Sequence, residues 1–334
     1  MPAQIDEFEM TDSSDWEFPE EVRPRADGLS YDLETALSSV LELRAEIPAD
    51  AFTASILGTE RAGNAVAIDD NGLVLTIGYL ITEASTVWLV SNDGGAVGGH
   101  VVAYDYDTGF GLVQALGRLG VPALPFGSAR GCGVGDDVVV AGAGGSRHAL
   151  QTKIVSKREF AGYWEYVLDE AIFTAPAHPN WGGTALISPS GELQGIGSLF
   201  VQNARGGEAR VDGNMIVPID LLPPILDDLK NGAAADRPAR PWLGFYVAEA
   251  EERQVVVGLA EGGPADRAGV RVGDVVVEVG GAPVGDLADL FRSIWALGTA
   301  GSEIALTLWR DGEPIRLGVV SGNRNDFLKS PRMH

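Results

Sequence analysis

A mostly β protein in more than one folded unit is the fold class that this sequence predicts, and three observations predict it. Apolar runs of strand length recur between glycine-rich punctuation, as in Gly63 to Thr76 and Ala185 to Gly197. Turn chemistry sits at their tips, Asn71-Gly72 in the first and Pro189-Ser190-Gly191-Glu192 in the second. The length of 334 residues at 45% hydrophobic suffices for two or three cores, and residues 231–240, rich in Ala, Gly and Pro, read as the linker between units.

Taken from the start, residues 1–30 carry Asp6, Glu7, Glu9, Asp12, Asp15, Glu17, Glu20 and Glu21 with no apolar run, so this segment is expected to be disordered. It lacks the basic start and apolar core of a secretory signal, and no window approaches the roughly 18 apolar residues of a membrane span. These features predict a cytoplasmic protein with no membrane span. A net charge of −23 opposes binding to nucleic acid, whose phosphates would be repelled.

Cys132 is the only cysteine, which excludes an internal disulfide; its Gly131-Cys132-Gly133 setting suggests a structural residue in a turn. The stretch Ala141 to Ser146 is glycine-rich but lacks the Gly-Lys-Ser/Thr ending of a phosphate loop. Four histidines, His100, His148, His178 and His334, show no metal-ligand spacing, so neither metal nor cofactor is expected. His178, with Ser188 and Ser190 nearby in sequence, is the one histidine near the loop that carries the most informative motif, and it is expected as a loop histidine in solvent rather than as part of a substitute triad.

That motif is Asn180-Trp181-Gly182-Gly183, set between the apolar stretch Tyr166-Val167-Leu168 and the hairpin Ala185 to Gly197. Its order resembles the G-N-S-G-G segment of the HtrA (DegP-like) branch of chymotrypsin-fold serine proteases, with tryptophan in place of the nucleophilic serine. Gly63 to Thr76 resembles the family hairpin that precedes its base histidine, which falls on Tyr79. Asp105 to Val113 resembles D-x-x-T-D-L-A-V-L, and the orienting aspartate falls on Gly109. Val134 to Gly142 resembles V-G-D-x-V-x-A-x-G. The resemblance spans roughly residues 35–322 and implies two six-stranded β-barrels of the chymotrypsin type over residues 31–230.

Judged as chemistry, the substitutions remove the proton relay. A serine triad needs a hydroxyl, an imidazole to take its proton and a carboxylate to hold the imidazole. Trp181 offers only an indole donor, Tyr79 a phenol that stays protonated near neutral pH, and Gly109 no side chain. The family builds its oxyanion hole from the backbone N–H groups of the nucleophile and of the residue two before it. That earlier position is Pro179, which has no N–H.

From Pro241 the chain resembles a PDZ domain over residues 241–322, a small α+β unit, followed by a tail at 323–334. Trp242-Leu243-Gly244-Phe245 resembles the carboxylate-binding loop, and Gly262 to Val275 the G-S-P-A-x-x-A-G-L-x-x-G-D-x-I core. Gly244 can turn backbone N–H groups toward a terminal carboxylate while the next strand offers an edge to an incoming peptide. Leu287, Leu290, Phe291, Ile294 and Trp295 recur at helical spacing, and Leu287, Leu290 and Ile294 are the expected groove wall.

The resemblance therefore implies a catalytically inactive homologue that binds peptide or protein C-termini as a scaffold or regulator. The alternatives are an HtrA-type endopeptidase of protein quality control, and a silent subunit beside an active HtrA-type protease. Family members form trimers with aromatic residues near the start of the protease domain. Trp16 and Phe18 are the candidates for that role here, unless the segment is simply an unstructured tail.

Overall fold

The computed structural model describes residues 16–207, 210–231 and 238–329. Two closed barrels and a third, open sheet follow one another along the chain. The first barrel contains β1 (Val40–Glu46), β2 (Glu60–Ala67), β3 (Leu73–Ile77), β4 (Thr86–Val90), β5 (Ala96–Tyr104) and β6 (Phe110–Ala115), in the ring order β1-β2-β3-β6-β5-β4. The second contains β7 (Asp137–Ala141), β8 (Ala149–Gly162), β9 (Tyr166–Ala175), β10 (Ala185–Ile187), β11 (Leu193–Val201) and β12 (Gly213–Pro218). Read from β7, its ring order is β7-β8-β9-β12-β11-β10, the same connectivity as the first.

Local chemistry explains the hairpins. Between β2 and β3 the Asp69 carboxylate accepts from the Asn71 and Leu73 amides at 2.9 and 2.8 Å, and Gly72 takes φ 84° at the tip. Val66 then pairs with Leu75 and Ala67 with Val74. Between β10 and β11 the Ser188 hydroxyl accepts from the Ser190 and Glu192 amides, with Gly191 at φ 85°, and Ala185 pairs with Ile196. Both turns fall where the sequence expects them. Leu41, Leu75, Phe110 and Leu112 of the first barrel and Ile187, Leu193 and Phe173 of the second are buried in one apolar cluster that both barrels share. Truncating any one of these to alanine should cost roughly 3 kcal/mol. Cys132 packs beside Val138, Val140 and Ile154 in a smaller cluster, where burial pushes its thiol upward.

The helices of the barrel region, α1 (Leu33–Ser38), α2 (Ala54–Leu57) and α3 (Leu226–Lys230), are short. The C-terminal sheet is ordered β13 (Phe245–Ala250), β14 (Arg253–Leu259), β15 (Val275–Val279), β17 (Glu303–Arg310), β18 (Glu313–Val320), with β16 (Ala282–Pro283) paired to β15. It carries α4 (Pro264–Arg267) and α5 (Leu287–Ala296). Asp286 caps α5 by accepting from the Asp289 amide at 2.8 Å, and the helix buries Ala288, Leu290, Phe291 and Ile294.

The acidic N-terminal segment differs from expectation. Residues 1–15 lie outside the described residues, but from Trp16 onward the chain is placed, with single helical turns at Glu20–Val22 and Ala26–Gly28. Phe18 donates its amide to the Arg147 carbonyl at 2.9 Å, and Trp16 lies 4.6 Å from the His148 ring. Apolar contact of these two aromatics outweighs the charge around them. Most of the 231–240 linker and the end of the tail lie outside the described residues.

Candidate functional site

Tyr79, Gly109 and Trp181 come from three loops and line one cavity of about 320 Å³. Tyr79 sits on the helical turn Gly78–Leu80 that follows β3, and Gly109 immediately precedes β6. The Gly78 amide donates to the Gly109 carbonyl at 2.7 Å, which ties these two loops together. Asn64 of β2 ties in the third: its amide and its Nδ2 both donate to the Gly182 carbonyl, and Nδ2 also reaches the Asn180 carbonyl at 2.9 Å. Phe52, Tyr104, Tyr106, Tyr163, Trp164, Tyr166 and Tyr246 complete a largely aromatic lining. A wider hollow of about 580 Å³ among Asp69, His100, Gln114 and Lys230 lies apart from all three positions.

The groups at these positions are hydrogen-bond donors or absent. The Tyr79 hydroxyl donates to the Ser198 carbonyl at 2.8 Å. Burial holds the phenol well above its ordinary range, with a hydrogen bond to the Trp181 side chain acting weakly the other way. It therefore keeps its proton and cannot accept one from a nucleophile. Beside Gly109, at φ 84°, the space for a side chain is taken: an added Cβ would lie 3.1 Å from the Tyr166 hydroxyl. That hydroxyl donates to the Thr108 carbonyl at 2.8 Å and is itself pushed upward by burial. Trp181 is half-buried, its ring 5.8 Å from that of Phe200.

The loop ahead of Trp181 turns its donors inward. Pro179 has no N–H, and the Asn180 amide donates to His178 Nδ1 at 3.1 Å. His178 Nε2 lies 3.0 Å from the His148 carbonyl, so Nδ1 is the acceptor and Nε2 carries the hydrogen. Asn214 clamps the His178 backbone at 2.7 and 3.1 Å. Ser188 and Ser190 bond each other in the β10–β11 turn. His178 is therefore not a loop histidine in solvent but a buried brace with both ring nitrogens engaged, because the backbone around it supplies a partner to each.

Burial lowers the His178 imidazole to about 4. The unfolded imidazole titrates near 6.5, so the unfolded chain binds the extra proton between these values. The contribution of neutral His178 is whole above about pH 6.5 and is lost as pH falls toward 4, by at most roughly 3 kcal/mol. Glu165, pushed up to about 7, titrates in the opposite sense. The effect should therefore be read as the pH-dependent difference in urea stability between the native chain and His178→Gln. Parallel profiles from pH 7.5 to 4.5 would contradict it.

In the C-terminal domain Gly244 takes φ 74°, and the Leu243 and Gly244 amides face the carboxylate of Glu165, at the turn between β8 and β9. Gly244 donates to Oε1 at 2.7 Å and Leu243 to both oxygens at 3.2 Å. Trp242 packs between Phe52 and Phe327, and Leu243 and Phe245 are buried. Leu290 and Ile294, expected as walls of an open groove, are fully buried in a cluster that includes Val167 of β9; Leu287 is half-buried at its edge. They pack into the domain's own apolar core with Val247, Val256 and Ile304, which Val167 and Ala161 of the β8–β9 hairpin join. Neither Glu165 nor Tyr166 stands out in the sequence, because nothing local marks a residue whose partners lie 58 to 79 positions away.

Residues 63–196 match the family model described as a trypsin-like peptidase domain, and residues 241–320 match the PDZ domain model. The chain is HtrA-like, a trypsin-like domain followed by a PDZ domain. Over 287 residues it is 26% identical to a probable periplasmic serine endoprotease DegP-like protein of Pseudomonas fluorescens, covering 81% of this chain and 59% of that one. A Rhizobium meliloti protein of the same description is 26% identical over 80% of this chain and 55% of its own. The HtrA-like chain thus spans somewhat over half the length of these relatives. Among solved structures, the HtrA-type protease AlgW with decapeptide superposes at a TM-score of 0.51 and 18% identity, over 90% of this chain and 100% of that one. The double barrel with a following PDZ domain is thereby the fold expected from sequence. The cytoplasmic location is not: the Pseudomonas and Rhizobium relatives are described as probable periplasmic endoproteases, which points to the periplasm rather than the cytoplasm.

Proposed function

We propose that this HtrA-like chain is a protease homologue without peptidase activity that recognises C-terminal carboxylates through its PDZ domain. The observation that carries the binding half is the pair of Leu243 and Gly244 amides converging on a carboxylate, which is the donor set a peptide terminus requires. The inactive half is supported by the cavity chemistry. At positions 79, 109 and 181 there is no base, no orienting carboxylate and no nucleophile, and Pro179 removes an oxyanion donor.

Two assays test the two halves. Pure protein should leave β-casein intact and take no label from a serine-directed fluorophosphonate; labelling or cleavage would overturn the inactive half. A random decapeptide library with free carboxy termini should be captured, the amidated library should not, and Gly244→Glu should abolish capture. Equal retention of amides would rule out terminus recognition.

A further inference from the structure

The PDZ groove is filled by the chain itself. The tip of the β8–β9 hairpin, Tyr163-Trp164-Glu165, lies along β13: the Val247 amide donates to the Tyr163 carbonyl at 3.0 Å, and Tyr163 and Tyr246 rings meet at 6.0 Å. Two residues further on, the Glu165 carboxylate takes the Leu243 and Gly244 amides. On the other wall, Arg292 of α5 grips both legs of the same hairpin, with Glu159 at 2.5 Å and Asp169 at 2.5 Å. Val167 and Ala161 join the apolar cluster of Leu290 and Ile294. From the C-terminal side, Arg324 reaches the Trp164 carbonyl at 3.4 Å.

These contacts share three elements with peptide recognition beside an edge strand: one main-chain hydrogen bond to β13, apolar contact on the side of α5, and a carboxylate on two backbone amides. The geometry points to Glu165 as an internal ligand that stands in for a peptide terminus, so that an incoming carboxylate must displace the β8–β9 hairpin. This inference rests on the terminus-binding reading for its outside partner, but the docked hairpin is a property of this chain alone. Glu165 is fully committed to that role. It adopts φ 62°, a left-handed conformation unfavourable to a residue with a Cβ, and its side chain is buried with its oxygens on backbone amides. No catalytic or packing demand of the barrel explains a buried carboxylate at a hairpin tip.

The same hairpin leads through Tyr166 to Thr108 beside Gly109, and Trp164 stacks on Tyr166 with ring centroids 5.6 Å apart. Lifting Glu165 would therefore loosen one wall of the aromatic cavity.

The test uses the full chain and two variants. Glu165→Gly removes the carboxylate and suits the left-handed backbone; Arg292→Ala leaves the carboxylate in place and releases the legs of the hairpin. Amide hydrogen exchange at residues 243–247 is followed together with anisotropy of a fluorescein-labelled peptide of residues 157–165 with a free carboxy terminus. In Glu165→Gly, exchange should rise at least tenfold and the peptide should bind at least tenfold more tightly than to the native chain. Arg292→Ala should move both in the same direction, about threefold, which keeps the test decisive should Glu165→Gly fold poorly. Faster exchange with no peptide bound by either protein would support the internal ligand and sink terminus recognition. Unchanged exchange with equal peptide binding would overturn the internal ligand and leave terminus recognition standing; unchanged exchange with no binding would overturn both.

Discussion

Replacing Trp181 by serine is expected to restore no peptide hydrolysis. A hydroxyl at position 181 would meet the Tyr79 phenol, which already donates to Ser198 and is held protonated by burial. Adding histidine at 79 would still leave the imidazole without an orienting carboxylate, a loss worth about 10⁴ in turnover where such triads have been dissected. Placing aspartate at 109 is obstructed in turn, since its Cβ would lie 3.1 Å from the Tyr166 hydroxyl and on a left-handed backbone. The missing Pro179 donor and the inward-turned Asn180 amide subtract a further 3 kcal/mol or so of oxyanion stabilisation. Turnover of β-casein by Trp181→Ser should stay at the buffer blank. Cleavage that a fluorophosphonate abolishes would show that another base serves position 181.

The second large effect concerns the fold of the same loop. Gly183→Ala should destabilise the chain by about 4 kcal/mol or prevent folding. Gly183 takes φ 78°, and an added Cβ would fall 1.8 Å from the Asn64 carbonyl oxygen and 2.8 Å from Thr76 Oγ1. These atoms cannot step aside, because Thr76 Oγ1 itself donates to that carbonyl at 2.7 Å and both belong to paired strands of the first barrel. Gly120 supplies the internal control: its φ of 71° is similar, yet nothing lies within 4 Å of its missing Cβ. Gly120→Ala should therefore cost only the backbone preference, about 1 kcal/mol. Equal urea midpoints for the two variants would show that the second glycine of the tetrad is not held by close approach to β2.

The sequence made the hairpins readable because their information is local. Asn71-Gly72 and Ser190-Gly191 specify turns through backbone preference, and the apolar residues on either side then have one register that buries them. The same locality made Tyr79, Gly109 and Trp181 recognisable as neighbours, since each sits at a fixed offset within a motif, and all three do line one cavity. What could not be read are contacts made across the molecule. Tyr166 fills the space beside Gly109 from the other barrel, and Asn64 joins β2 to the tetrad across 116 to 118 positions. The acidic N-terminus misled for a related reason: composition reports an average, whereas Trp16 and Phe18 need only the rings of His148 and His178 to be held in place. Leu290 and Ile294 lie on α5 as expected, but an amphipathic stripe cannot say whether its apolar face lines a groove or packs into the core.

Among the described residues, ring closure leaves both barrels without a ladder to offer, so sheet extension between molecules would start from the third sheet, whose main run of strands ends at β13 and β18. Along β18, Glu313, Pro314 and Arg316 deter recruitment of a foreign strand. Along β13 the deterrent is the seated Tyr163 carbonyl. A chain with its hairpin lifted would accordingly be the sticky form, and crowding, heating or truncation near residue 165 would reveal itself first as turbidity.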